Sequence, residues 1–454
     1  TRNLETMYAK IRTAQPLQNG WIVGWGFDPW LYEDGRFPTR QELDQARPDT
    51  PVYIYNMSGH LAYANSKAFE IAGITKDTPN PQGGQYEKGE DGELNGRILA
   101  HAAMFTVLAP PPIDQQAAYL GAREHTKVGI TTVAEPGLLH PGMLALYEDV
   151  TQQADWPVRI IAGLAMKNPA TRAMLQDAGS GKWNTEKLQI TYGKIWADGS
   201  IQGGTVLLSD HTRPHYKHPD PNETPYTEYD ELMTQVLEIY QAGLSPMIHT
   251  NADGAVDWAL DAIEKAQAQT GRRDLHPQLI HVQVVRDDQL RRMVDLGVGA
   301  TFFTPHVHFF GELHKNVFWT EEWARRIDPM KSALDIGVVA AIHNDPPVSA
   351  PNPLHSMWVA VNRLTSAGNV LGPEQRITPE QALAAYTRDA ARQMGYENEI
   401  GTLEPGKYAD MVLLSEDPLT VAPTRIKDIR VEATMMGGQV FYYQMDESFT
   451  DVLE

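Results

Sequence analysis

Seven short apolar runs, separated by amphipathic stretches, follow one another between residues 129 and 344. The runs are GITTVAE (129–135), VRIIAGL (158–164), LQITYGKIWADG (188–199), LSPMIHT (244–250), PQLIHVQ (277–283), VGATFF (298–303) and VVAAIHN (338–344). Between several of them, apolar residues recur at helical spacing, as at Met233, Val236, Leu237 and Tyr240. Alternating strands and helices predict a parallel sheet, and runs that are apolar on both faces are typical of a sheet covered by helices.

This alternation predicts an α/β architecture, a (β/α)8 TIM-like barrel, which requires eight strands. The first barrel strand has no matching run, because residues 1–128 contain a Trp-rich segment, GWIVGWGFDPW (20–30), and a turn-rich segment, DTPNPQGGQYEKGEDGELNG (77–96), that predicts a hairpin. We expect residues 1–395 to form the barrel, with an inserted lobe at about 28–100 near its mouth. Residues 396–454 are expected to form a small β-sandwich portion, because GKYADMVLL and GGQVFYY are strand-like.

The amino-acid composition of the chain excludes several kinds of site and binding partner. The 454 residues include no cysteine, which excludes disulfides and thiolate metal sites. Net charge is −20 without a basic stripe, so nucleic acid and anionic membranes are poor partners, and no apolar run approaches the roughly 18 residues of a membrane span. We therefore expect a small-molecule substrate. A homodimer and a cytoplasmic location are further expectations, with an upstream signal peptide as the open alternative to the second.

Polar side chains stand at or just past the ends of four of the runs. In chain order they are Lys194, His249, His281 and Asp345. Each has an ordinary structural explanation when taken singly, but catalytic groups of barrel enzymes lie at the C-terminal strand ends, so the succession favours one shared site. Two neutral imidazoles suit a divalent ion such as zinc. A carboxylate can bind that ion and accept a proton from its water, whose pKa the metal lowers to about 7.

The strand-end segments resemble those of a known superfamily. GKIWADGS, MIHTNADGA, LIHVQ and AIHNDPPV, in that order, resemble the amidohydrolase superfamily. FFTPHVHFFGELH and IGTLEPGKYADMVLLSEDPL are similar to its metal-dependent branch, amidohydrolase family 3, which includes N-substituted formamide deformylase. The resemblance runs nearly from end to end. It implies a (β/α)8 barrel, one or two divalent metal ions with zinc as the expected ion, and hydrolysis of an amide-type C–N bond in a small N-acyl or N-formyl substrate.

The resemblance also implies roles for individual residues. His249 and His281 would be metal ligands, with His281 also part of the catalytic group. Asp345 would be a metal ligand, the general base, and later the acid for the leaving amine. Lys194 occupies the position at which many members carry a carboxylated lysine that bridges two metal ions.

The chain departs from the family pattern at its start. The family closes its first barrel strand with an H-x-H motif, which follows an N-terminal β segment, and neither is found here. The H-x-H of PHVH (305–308) follows the run 298–303, which would be the seventh strand of a barrel lacking its first. We expect His306 and His314 to contact the substrate or its oxyanion, and His308 to pack on the other side of a bend.

Three weaker candidates and two alternative functions remain open. Asp198 could orient Lys194 or touch substrate, or it could be a turn residue before Gly199. His60 and Asn65 could line the pocket from the inserted lobe, or cap a helix locally.

The missing first-strand ligands leave two alternatives to the enzyme, a non-catalytic ligand-binding barrel and an inactive fragment of a longer amidohydrolase.

Overall fold

The structure is a computed structural model that describes residues 3–109, 113–219, 221–222 and 225–444. It divides into two compact units. The first consists of the described parts of Thr1–Pro112, Asp198–Leu207 and His218–Glu228. The second consists of the described parts of Ile113–Ala197, Leu208–Lys217 and Tyr229–Glu454.

The first unit contains a five-stranded mixed sheet in the order β1-β2-β3-β5-β4, in which β1 and β2 are parallel and the other pairs are antiparallel. Its strands are β1 (Ile22–Phe27), β2 (Val52–Asn56), β3 (Leu61–Ala64), β4 (Gln85–Lys88) and β5 (Leu94–Leu99). Its helices are α1 (Leu4–Thr13), α2 (Arg40–Ala46), α3 (Ser66–Ala72) and α4 (Ala100–Val107). The hairpin predicted within 77–96 is confirmed as the antiparallel pair β4–β5.

Both faces of this sheet are buried, and the alternation of side chains along β2 explains how. Val52 and Ile54 belong to one apolar cluster, whereas Tyr53 belongs to another. Successive side chains of a strand point to opposite faces, so the sheet lies between two apolar layers. A short strand buried on both faces shows no alternation of polar and apolar residues, which hides it from a sequence pattern.

The second unit contains a parallel seven-stranded sheet in the order β12-β11-β10-β9-β8-β7-β6. Its strands are β6 (Thr132–Leu138), β7 (Arg159–Ala165), β8 (Leu188–Trp196), β9 (Ser245–Thr250), β10 (Gln278–His281), β11 (Gly299–Phe302) and β12 (Ala340–Ile342). Each overlaps one of the seven predicted runs, so an α/β, TIM-like fold is confirmed. The closed barrel of eight strands stays a prediction. An eighth strand paired with β6 or β12 is not found in the described part of the chain.

Helices separate these strands and cover them. They are α5 (Gln115–Lys127), α6 (Pro141–Thr151), α7 (Pro169–Arg172), α8 (Leu175–Gly179), α9 (Tyr229–Ala242), α10 (Asp253–Thr270), α11 (Asp287–Leu296), α12 (Pro305–Leu313), α13 (Glu321–Arg325), α14 (Met330–Ile336), α15 (Pro353–Asn362), α16 (Pro379–Tyr386) and α17 (Arg388–Met394). Strands β7, β9, β10 and β11 are buried along their whole length, as the covered parallel sheet requires. No helix in the described residues is long and apolar enough to cross a membrane.

The C-terminal region forms a separate three-stranded antiparallel sheet in the order β13-β14-β15. Its strands are β13 (Met411–Leu414), β14 (Val431–Met436) and β15 (Gln439–Tyr443). The outer two correspond to the predicted strands GKYADMVLL and GGQVFYY. The central strand β14 supplies the pairing that the two outer strands lacked in the sequence. The domain limits at 395 and 396 stay a prediction.

Candidate functional site

Three of the four predicted strand-end residues lie on adjacent parallel strands. Lys194 is on β8, His249 on β9 and His281 on β10. In register, Trp196 pairs with His249 and Ile280 pairs with His249. Because the C-terminal ends of neighbouring parallel strands meet at one edge, these side chains share that edge of the sheet. All three are almost fully buried, with relative exposures of 2% for Lys194, 3% for His249 and 5% for His281.

The imidazoles at this edge form a continuous row. The ring centroids of His249 and His281 are 4.5 Å apart, and those of His281 and His343 are 4.8 Å apart. His343 follows β12, and its backbone N–H donates to the carbonyl of Phe302 at the end of β11. His343 was not among the predicted site residues, although it lies near the end of the run VVAAIHN, just as His249 and His281 lie near the ends of theirs. Its strand-end position was the signal that could have identified it.

Burial favours the neutral form of two of these imidazoles, those of His281 and His343. Burial lowers the pKa of His281 well below its ordinary value, and neighbouring histidines and Lys194 act in the same direction. Burial, His306 and Lys194 likewise lower the pKa of His343. Within the described residues, Nδ1 of His281 and Nε2 of His343 have no hydrogen-bond partner. Neutral ring nitrogens with uncommitted lone pairs are the donors that zinc and similar ions prefer.

Asp345 stands two residues beyond His343, in a left-handed backbone conformation with φ of 50°. Burial raises the pKa of Asp345 to about 6, and the positive charge of Lys194 acts in the opposite direction. The residue types at this edge therefore match a divalent metal site chemically. No three or more His, Asp or Glu side chains of the described ranges are arranged to hold a metal ion.

The helix that follows β11 brings a further pair of histidines to the same edge. His306 lies in α12, and its ring centroid is 6.3 Å from that of His281 and 6.2 Å from that of His314. Nε2 of Gln283 is 2.9 Å from Nε2 of His314. His314 begins a π-helical turn, His314–Phe318, a geometry that is frequent at functional sites. Both predicted substrate contacts are thus close to the row of imidazoles, and their roles stay predictions.

The two histidines of PHVH point to different surroundings. They lie on a helix, not on a strand, so residues two apart are separated by about 200° around the helix axis. Nδ1 of His308 is 2.9 Å from the carbonyl oxygen of Leu364, and its ring lies 5.4 Å from that of Trp358. His308 therefore packs away from His306, and the pair cannot bind one metal ion together.

Both polar atoms of the Asn65 side chain are hydrogen-bonded to the backbone. It caps α3, where its side-chain oxygen accepts from the N–H of Ala68 and also from that of Val52. Its amide nitrogen donates to the carbonyls of Arg47 and Thr50. The fully buried amide is thus saturated by the backbone, which matches the capping alternative. A contact between Asn65 and the substrate stays a prediction that these bonds do not support.

The other two candidates of the first unit are buried among their own neighbours. The ring of His60 stacks on that of His101 at 5.7 Å, and the hydroxyl of Tyr226 donates to the carbonyl of His60. Asp198 is fully buried, and its carboxylate accepts from the N–H of Leu207 at 3.4 Å. The functional roles suggested for His60 and Asp198 stay predictions.

Comparison with known proteins places the chain among amidohydrolases. The model of the amidohydrolase family matches residues 2–442. The N-substituted formamide deformylase of Arthrobacter pascens is 27% identical over 462 residues, covering 97% of this chain and 82% of that protein. The putative amidohydrolase YtcJ of Bacillus subtilis is 26% identical, covering 96% and 82%. The solved structure of an uncharacterised metal-dependent hydrolase from Pyrococcus horikoshii, 23% identical, has a TM-score of 0.69 and is covered to 82%, which shows a shared fold.

Proposed function

The chain belongs to the amidohydrolase family, and on that premise we propose that it hydrolyses an amide-type C–N bond in a small N-acyl or N-formyl compound. The observation that carries the proposal is the row of buried imidazoles beside Lys194 at the C-terminal edge of the parallel sheet. Family membership favours this hydrolase over the non-catalytic ligand-binding barrel.

The residues that would hold the metal are His249, His281 and Asp345, with Lys194 as a further ligand if CO₂ carboxylates its amine. Zinc is the expected ion, as one or two per chain, because the donors are imidazole nitrogens and oxygen anions without thiolates. When bound, a divalent ion polarises the scissile carbonyl and increases the acidity of water. The Nζ atom of Lys194 lies 5.2 Å from the ring centroid of Trp196.

The chain's own groups would then move the protons. Asp345 takes a proton from the attacking water and returns it to the nitrogen of the leaving amine, so the carboxyl group is regenerated in each cycle. His306 and His314 contact the substrate beside the scissile bond. The near-complete burial of His249, His281 and Lys194 limits access of bulk water, which strengthens every electrostatic interaction there.

The replacement Asp345→Asn tests this assignment. We expect kcat on N-formyl or N-acyl amines to fall by about 10² to 10⁴, because the proton acceptor is lost, while the unfolding midpoint changes little. Turnover would be measured with metal-loaded protein on a panel of both substrate types. Asp335→Asn is the matched control, since Asp335 is an exposed carboxylate paired with Lys331. Retained turnover in Asp345→Asn would rule out the proton shuttle.

A further inference from the structure

Asp328, a carboxyl group that no sequence pattern predicted, lies fully buried beside His306. Its Oδ1 is 3.8 Å from Nδ1 of His306, and its exposed fraction is 0%. In the described part of the chain, neither carboxyl oxygen of Asp328 has a hydrogen-bond partner. Its backbone is left-handed, with φ of 48°. A buried polar group without a partner and a strained backbone both cost free energy, and such costs cluster at functional sites.

The surrounding structure holds the backbone of Asp328 in place but forms no hydrogen bond with its carboxyl group in the described residues. Arg363 is 2% exposed, and its guanidinium donates to the carbonyls of Ile327, Asp328 and Leu371 at 2.7 to 3.1 Å. The N–H of Asp328 donates to the carbonyl of Gln283 at 2.8 Å. The guanidinium therefore holds the backbone around Asp328, while its carboxyl group faces His306.

The protonation states of the two groups follow from their burial. Burial raises the pKa of Asp328 well above its ordinary value, and Arg363 acts in the opposite direction. Burial also lowers the pKa of His306 to about 3. Burial, with no hydrogen bond at either carboxyl oxygen or at Nδ1 of His306 within the described residues, disfavours the charged form of both groups and favours a carboxylic acid beside a neutral imidazole. A carboxylic acid has one O–H to donate, and a neutral imidazole has one nitrogen that accepts and one that donates.

We propose that Asp328 is a positioning residue, whose carboxyl group donates to Nδ1 of His306 and so keeps the ring proton on Nε2. That Nε2–H is then a hydrogen-bond donor for the carbonyl oxygen of the substrate, where negative charge develops during attack. The inference rests on the proposed function, because the donor serves an amide carbonyl. The ring of His306 is held 4.3 Å from that of Phe303. The distance of 3.8 Å between Oδ1 of Asp328 and Nδ1 of His306 is longer than a hydrogen bond, so the proposal requires it to shorten in the free protein in solution.

The ¹⁵N chemical shifts of the histidine rings test the proposal directly in the free protein. We expect a pyrrole-type signal for Nε2 of His306 and a pyridine-type signal for Nδ1, assigned by their loss in His306→Gln. In Asp328→Asn the amide N–H can donate to Nδ1, and Asn tolerates a left-handed backbone, so the same tautomer and a near-normal kcat are expected. Asp328→Gly also tolerates φ of 48° but removes the donor.

In Asp328→Gly we expect mixed His306 tautomers and a fall in kcat of about 10- to 100-fold, the usual effect of losing an orienting partner, with KM little changed. The ring signals of His314, held by Gln283, serve as the internal control and should not move. A pyrrole-type Nδ1 of His306 in the unmodified protein would overturn the proposal, whether or not the glycine variant folds. An unchanged tautomer and kcat in a folded Asp328→Gly would also overturn it. The NMR result does not depend on turnover, so it separates this inference from the proposed function.

Discussion

Two histidines of the first unit differ in their hydrogen bonds from the histidines at the edge of the parallel sheet. Nε2 of the half-buried His101 is 3.1 Å from the backbone carbonyl oxygen of Gly59, and Nε2 of the buried His218 is 3.2 Å from that of Gln202. In the second unit, the histidines at the sheet edge pack against one another. Several of their ring nitrogens have no hydrogen-bond partner within the described ranges.

We interpret this difference as one between histidines that stabilise the fold and histidines that bind a ligand. A buried polar atom left without a hydrogen bond costs about 1 to 3 kcal/mol. A chain that only needed a stable core could fill these positions with apolar side chains at lower cost. We therefore propose that the row of imidazoles in the second unit binds a ligand, whereas the contacts of His101 and His218 with backbone carbonyls stabilise the fold.

The largest expected effect comes from removing one histidine of each kind. His281→Ala should lower kcat/KM by about 10² or more. The proposed metal site would lose one of its ligands, and the substrate carbonyl would be polarised less strongly. His101→Phe keeps an aromatic ring stacked on Phe105 and loses one hydrogen bond, so we expect a stability loss of about 1 kcal/mol and near-normal kcat. Steady-state kinetics and urea unfolding of both variants measure the two effects.

The distinction between the two kinds of histidine would be wrong if His281→Ala lost only stability and His101→Phe lost only activity. A stability loss without a kinetic loss in His281→Ala would assign His281 to the fold. A kinetic loss in His101→Phe at unchanged stability would assign His101 to the site.

A smaller expected effect is the pH dependence of stability that Asp28, a buried acid of the first unit, produces. Asp28 is fully buried, and its carboxylate accepts from the N–H of Trp30 at 3.0 Å. Burial raises the pKa of Asp28 from 3.8 to about 7. The folded protein therefore binds more protons than the unfolded chain between these values, so this group makes stability fall as pH rises from about 4 to 7.

Asp28→Asn keeps the capping oxygen and cannot ionise. We expect the stability of the variant relative to the unmodified protein to increase as pH is raised from 5 to 8, measured by urea unfolding at each pH. Asp114→Asn, at the exposed cap of α5, is the matched control for the change of capping side chain. A stability difference that does not vary with pH would show that Asp28 is ionised in the folded protein throughout this range.

Strand–helix alternation was enough to predict the parallel sheet, because each buried strand of the second unit is a compact apolar run. The five-stranded sheet of the first unit escaped prediction apart from its hairpin. Its inner strands β2 and β3 are only five and four residues long and are buried on both faces, so they carry no periodic signal. Strand β14 was missed because its run, VEATMM, follows a 3-10 turn, Pro423–Asp428, without a clear strand boundary.

The candidate site was predictable where its residues end strands. Lys194, His249 and His281 were found in this way, and His343 could have been. Asp328 could not, because it lies between helices α13 and α14 and only tertiary packing brings it to His306. Asn65 shows why the two alternatives stayed open in the sequence, since an amide that caps a helix looks the same there as one that contacts a ligand.

The central claim is that the imidazoles at the end of the parallel sheet hold a divalent metal ion. Elemental mass spectrometry on the purified chain measures it most directly, with the double variant His249→Ala/His281→Ala alongside. The account predicts at least one equivalent of zinc or a similar ion per chain, and loss of that ion in the double variant at unchanged fold. Metal content near zero in the unmodified chain, or equal content in both proteins, would contradict it.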